Sequence, residues 1–183
     1  MDYKKFIDKE TAREKFIKYR KSILDASEKG KFDDVFSDIC TKALEGDAVA
    51  QDCVAYFYNK GMPGFLKVNH DLYMSWEVLA CANGNCFAIE KLEFFLKYAL
   101  DVIFSVDAVL RDALRKGNIT KDNGIYVISN LLCESMVDIL KINPKELILK
   151  DNTYLPFSTE VNRKYVDALE TSMPIVVRYI ISG

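Results

Sequence analysis

GDAVAQDCVAYFYNKGMPGFLKVNHDLYMSWEVLACANGN, residues 46–85, decides the fold. The stretch reads as two helices joined by a turn. Asp47 is placed to cap the first, which runs to about Asn59 and is closed by Lys60-Gly61. Met62-Pro63-Gly64 then turns the chain, Asn69 caps a second helix over 71–82, and Gly84 supplies its left-handed stop. The opening pattern returns 38 residues later: Gly46-Asp47, Ala50-Gln51, Val54-Ala55 and Tyr58 are answered by Gly84-Asn85, Ala88-Ile89, Leu92 and Phe95. A period of that size belongs to helical solenoids, whose units leave one face apolar and bury it against the next.

Working outward, residues 10–29 carry Ala12, Phe16, Tyr19, Ile23 and Ala26 as one apolar stripe, with Lys15, Lys18, Arg20 and Lys21 as the solvated face and Gly30 as the stop. A helix over 32–44 follows, capped by Asp33 or Asp34. In 86–104 the stripe Ala88, Leu92, Phe95, Ala99 and Ile103 is widened by Phe94, Tyr98 and Val102, which predicts a helix buried on two sides. Further helices are expected over 106–116, ended by Gly117, and over 121–141 from near Thr120, with Ile125, Ile128, Leu132, Met136 and Ile139 inward. Asn143-Pro144 opens a short helix ending near Leu149. Residues 151–157 read as irregular, and Ser158-Thr159-Glu160 starts a last helix that Pro174 kinks or divides. No period-two alternation with a hairpin turn occurs. The expected fold is all-α: a short solenoid of helix-turn-helix repeats with a divergent helical C-terminal half packed on it. It would form one domain over 1–183, divided into an N-terminal amphipathic helix (1–31), a repeat-like core (32–104) and the divergent half (105–183).

Half of the 183 residues are hydrophobic and 28% are charged, a balance that supports a substantial buried core. The net charge of −2 gives no global basic field, although residues 1–31 hold ten Lys/Arg against six Asp/Glu. Neither a nucleic-acid nor a membrane partner is therefore expected. Five cysteines without CxxC spacing, set among apolar helical positions, read as reduced buried thiols. With no apolar segment after Met1, the expected location is cytoplasmic, signal-less secretion remaining open. The run 175–181 is interrupted by Arg178 and far below the roughly 20 residues of a membrane span.

Gly46, Ala50-Gln51, Val54-Ala55, Tyr58, Gly61, Trp76, Ala80-Cys81 and Gly84-Asn85 resemble the Sel-one-like repeat, a variant of the tetratricopeptide helix pair. The chain departs from that pattern at Ala55, where glycine is usual, at Asn69, where aspartate is usual, at Tyr73, where a small residue is usual, and at Cys81. The resemblance covers residues 33–96, about one and a half to two units. It implies a scaffold for protein–protein contacts with Trp76 as a packing residue between the paired helices.

A single histidine, His70, excludes histidine metal clusters within one chain. It sits in a first turn, an ordinary place for an exposed residue. Asp33-Asp34 and Asp151-Asn152 are explained by caps and turns, and no glycine-rich phosphate loop or EF-hand occurs. No metal site, cofactor or catalytic residue is expected. Tyr56, Phe57 and Tyr58 are successive, so helical rotation of about 100° per residue keeps them from sharing one core; the C-terminal half is the expected cover. First helices of repeats face the concave side, where Asp52, Tyr56, Asn59 and Glu93 form the candidate partner-binding set. An aromatic with an acidic rim suits a peptide offering an apolar anchor and a basic residue. The expected function is a non-enzymatic adaptor or regulatory protein, monomeric or weakly dimeric, that binds a protein or peptide. The alternative is a bacterial effector or immunity-type protein specific for one target.

Overall fold

The computed structural model describes residues 6–117, 119–120 and 123–182. It is all-α, 77% helical with ten helices and no strands among the described residues. In order these are α1 (Lys9–Glu28), α2 (Phe32–Leu44), α3 (Ala48–Lys60), α4 (His70–Ala82), α5 (Cys86–Lys91), α6 (Glu93–Ser105), α7 (Asp107–Arg115), α8 (Gly124–Leu140), α9 (Pro144–Leu149) and α10 (Thr159–Ser182).

The 38-residue offset is visible in the bonds that end one helix and start the next. Gly46 and Gly84 have φ of 95° and 84°, a region that favours glycine. Each closes its helix with the paired Schellman bonds, Gly46 N–H to the Ala43 carbonyl and Asp47 N–H to Lys42, Gly84 N–H to Cys81 and Asn85 N–H to Ala80. Asp47 then accepts from the amides of Val49 and Ala50, and Asn85 from those of Phe87 and Ala88. The helix-end carbonyls are also treated alike: the Gln51 side-chain amide donates to Ala43 and that of Asn130 to Cys81.

Packing is organised around α4. Leu72, Trp76 and Leu79 belong to a cluster shared with α1, α2 and α3. Met74, Val78, Ala80 and Cys81 belong to a second one shared with α5, α6, α8 and α10. Trp76 is fully buried. The segment 151–157, irregular as expected, crosses the start of α4, where Leu155 accepts from His70 N–H and donates to Val68, and the Asn69 side chain donates to Thr153.

Several expectations are corrected. Asp8 caps α1. Neither Asp33 nor Asp34 caps α2, whose N-cap is Lys31 without a side-chain bond; both aspartates lie in its first turn, where they complement the helix dipole. The helix expected over 86–104 is divided at Leu92, because α5 packs on α1 and α4 while α6 follows α7, α8 and α10. Burial of α6 is one-sided: Leu96, Ala99, Leu100 and Ile103 face the core, but Phe94 is 93% and Tyr98 64% exposed. In α8 the inward face is Val127, Ile128, Leu131, Leu132 and Met136, whereas Ile125 and Ile139 are exposed; the expected start at Lys121 and Asp122 lies outside the described residues. Helix α10 continues through Pro174, beyond which Val176 and Ile180 remain buried. His70 is buried against Phe157 and Tyr73.

Truncating Trp76 removes the largest fully buried side chain from the seam between α3 and α4. Trp76→Ala is expected to cost about 3–5 kcal/mol, read as a lower urea midpoint at unchanged native helicity. An unchanged midpoint would remove α4 from the core.

Candidate functional site

The four residues expected to share one concave face are separated by the structure. Asp52 is 0% exposed, Tyr56 is half-buried, and Asn59 and Glu93 are exposed on different helices. The cover over Tyr56 is α1, correcting the expectation of the C-terminal half. Phe16 of α1 meets Tyr56 and Phe87 edge-on with centroids 5.6 and 5.4 Å away. Lys15 pairs with Asp47 at 2.7 Å, and Arg20 lies over the rings of Phe16 and Tyr56. Thus the apolar anchor with basic neighbours that this face suits is supplied by the chain's own N-terminal helix.

Beneath α1 lies a charge cluster. Lys91 Nζ is 2.7 Å from Asp52 Oδ1, and 3.7 and 4.5 Å from the ring centroids of Phe16 and Phe87. Glu77 of α4, also 0% exposed, is close enough for its carboxyl and that of Asp52 to shift each other. Burial pushes both carboxyls above the ordinary carboxylate range. Glu77 moves furthest because the charge of Asp52 adds to its desolvation, while the Lys91 ammonium opposes the shift at Asp52. Asp52 Oδ2 and both Glu77 oxygens lack a hydrogen-bond partner. The arrangement sets a second buried acid beside the Asp52–Lys91 ion pair, with the Phe16 and Phe87 rings against the ammonium, as suits cation–π contact. Helical periodicity did not single out Glu77; the one signal for it is a lone acid between Trp76 and Val78 in an apolar stretch of α4.

Glu93 belongs elsewhere, to a groove of about 280 Å³ between α5–α6 and α8. Its walls are Ile89, Leu100, Ile125, Tyr126 and Ser129, with Glu90 and Glu93 one helical turn apart. Glu90 is held by Lys9 at 2.7 Å and accepts from the Tyr126 hydroxyl at 3.1 Å. Glu93 forms no ion pair among the described residues. Ser129 is fully buried and its Oγ has no hydrogen-bond partner. Sequence periodicity missed this site because Tyr126 and Ser129 lie more than thirty positions beyond Glu90 and Glu93 in the chain.

No group of three or more potential metal ligands occurs among the described residues. Five cysteines are unpaired, four of them buried. Burial raises the thiols of Cys40, Cys53, Cys81 and Cys86, opposing thiolate formation. No helix among the described residues is long and apolar enough to cross a membrane. No known family model matches the chain, and no curated protein or solved structure matches it significantly.

Replacing Lys91 by methionine keeps the stem among the rings but leaves Asp52 without its counter-charge. Asp52 then takes up a proton on folding, which from an ordinary value of about 3.9 limits the penalty at pH 7 to at most about 4 kcal/mol. Because the folded-state value is raised above the unfolded one, the penalty is absent below about pH 4 and grows as pH rises. Urea midpoints of Lys91→Met relative to the parent chain should therefore diverge between pH 4 and 7; a constant difference would contradict the burial of this charge.

Proposed function

We propose that this protein is a non-catalytic helical scaffold that binds a partner protein through the surface formed by α6 and the adjoining groove. The observation that carries this reading is the exposed face of α6. Phe94, Tyr98 and Val102 recur at four-residue intervals with exposures of 93%, 64% and 37%. Single exposed hydrophobics are ordinary, but three stacked on one helical face form a ridge. Covering an aromatic of this kind is worth about 1.5–3 kcal/mol, enough for two of them to anchor an interface.

Glu90 and Glu93 beside the ridge favour a partner segment of opposite charge, and their carboxylates would set its orientation and register. The matching junctions at Gly46–Asp47 and Gly84–Asn85 support the Sel-one-like reading of residues 33–96, in which helix pairs serve as interaction scaffolds. The most strongly shifted acid, Glu77, is sealed beneath neighbouring helices, which favours a structural over a catalytic role. Unpaired thiols suit a reducing compartment such as the cytoplasm.

The test is capture from native lysate with the full chain and with a Phe94→Asp, Tyr98→Asp variant, both checked by circular dichroism. Loss of one retained protein with the folded variant is the expected result. Equal recovery would remove the ridge as the partner surface. Sedimentation decides whether the occupant is a second copy: a dimer that the variant converts to monomer would replace the heterologous partner by self-association.

A further inference from the structure

We propose that the groove between α5–α6 and α8 is a slot for an arginine side chain carried by a segment of the partner protein. This deepens the reading of α6 as an interaction face and rests on it. The slot is acidic on one wall. Glu90 and Glu93 project from adjacent turns, and the single described cation that pairs with either is Lys9, held on Glu90. Among the described residues the local balance leaves one carboxylate uncompensated, which disfavours phosphate, nucleic acid and anionic lipid and favours a cation.

The lining of the slot supplies a second observation. Serines inside helices commonly return their hydroxyl to the carbonyl four residues earlier, as Ser172 does to Ala168 at 2.8 Å. Ser129, one of the residues lining the groove, does not: its Oγ is buried and without a partner. An unsatisfied buried hydroxyl is destabilising unless a ligand engages it. It thus marks a polar contact for whatever enters.

Size and wall chemistry then select among cations. About 280 Å³ is near the lower limit for pockets that take whole small-molecule ligands, and suits one long side chain. Ile89 and Leu100 offer an apolar surface for methylenes, beside the polar groups of Glu90, Glu93 and Ser129. A planar guanidinium has five donors and can meet a carboxylate and a hydroxyl together, whereas an ammonium is a compact point charge that keeps its water. Phe94 follows Glu93 about 100° further round the start of α6, so the ridge adjoins the slot across the edge of the helix, within reach of a segment that places arginine in the slot.

The experiment is an NMR titration of the ¹⁵N-labelled full chain with acetyl-Leu-Arg-Leu-amide, with its citrulline twin, which has the same shape without charge, and with acetyl-arginine-amide. The expected result is perturbation of amides in 89–93 and 125–129 by the arginine tripeptide, with citrulline about tenfold weaker or worse. Glu93→Gln, an exposed substitution that leaves the melting temperature unchanged, should weaken the arginine peptide by about tenfold, and Ser129→Ala by a few-fold. Equal binding of the citrulline peptide, shifts confined to other residues, or no shift at about 10 mM peptide would overturn the slot. Acetyl-arginine-amide binding as tightly as the tripeptide would overturn the peptide assignment in favour of a small free cation. Failure of the scaffold reading is separable. A groove that binds the arginine peptide while lysate capture ignores the ridge variant leaves the cation slot standing without the scaffold role. Capture lost with the ridge variant but kept by Glu93→Gln leaves the ridge and removes the slot.

Discussion

Ten of the thirteen residues of α4 are buried, and a helix apolar on every side must be covered on every side. This requirement arranges the remainder of the chain. One side of α4 is taken by α3 through Trp76, Leu72 and Leu79, and the opposite side by α8 and α10 through Val78, Cys81 and their neighbours. The ends are closed by α5 and by the segment 151–157, whose backbone pairs with the start of α4. Two of the polar side chains that α4 carries inward, Ser75 and Glu77, are consequences of the same enclosure. Ser75 is bonded to the Tyr165 hydroxyl at 2.7 Å from α10, while burial and the neighbouring Asp52 raise the pKa of the Glu77 carboxyl.

Enclosure also explains the use of side-chain amides at the helix junctions. Close packing of successive helices buries their terminal carbonyls, which must find donors. Gln51 serves Ala43 and Asn130 serves both Cys81 and Ala82, while Asn85 reaches back to the Ala48 carbonyl in the first turn of α3. Asn83 completes the connection by donating to Gln51 at 2.8 Å. In the second junction the donor comes from α8, a helix outside the 38-residue pattern. The C-terminal half is therefore joined to the repeated segment by the same kind of bond that the segment uses internally.

Where enclosure stops, the surface becomes informative. The inner face of α3 and α5 is filled by α1, with Phe16 as the apolar wedge and Lys15 and Arg20 beside it. The outer face of α6 is left bare, although its residues are as apolar as those that are covered. The two faces differ in who supplies the cover. The chain contributes its own helix to one, and among the described residues nothing is laid over Phe94 and Tyr98.

The sequence by itself determined the helices and most of their limits, because caps, glycine stops and three-to-four periodicity are local signals that involve residues within one or two turns. Asp47, Asn69 and Asn143 act as caps where they were expected to, and Gly46 and Gly84 end their helices in the same geometry. It also determined that Trp76 would be interior. The partner of each apolar face was decided only by the tertiary structure. Periodicity states that Phe94, Tyr98 and Val102 form a stripe, but the position of α8 and α10 leaves it in solvent. It states that Tyr56 needs cover, but α1 provides it rather than the C-terminal half. Asp52 and Glu93 read alike as acids on first helices. One is buried with Lys91 and Glu77 and the other opens a groove, because burial depends on which distant segments arrive and not on the residue's own helix.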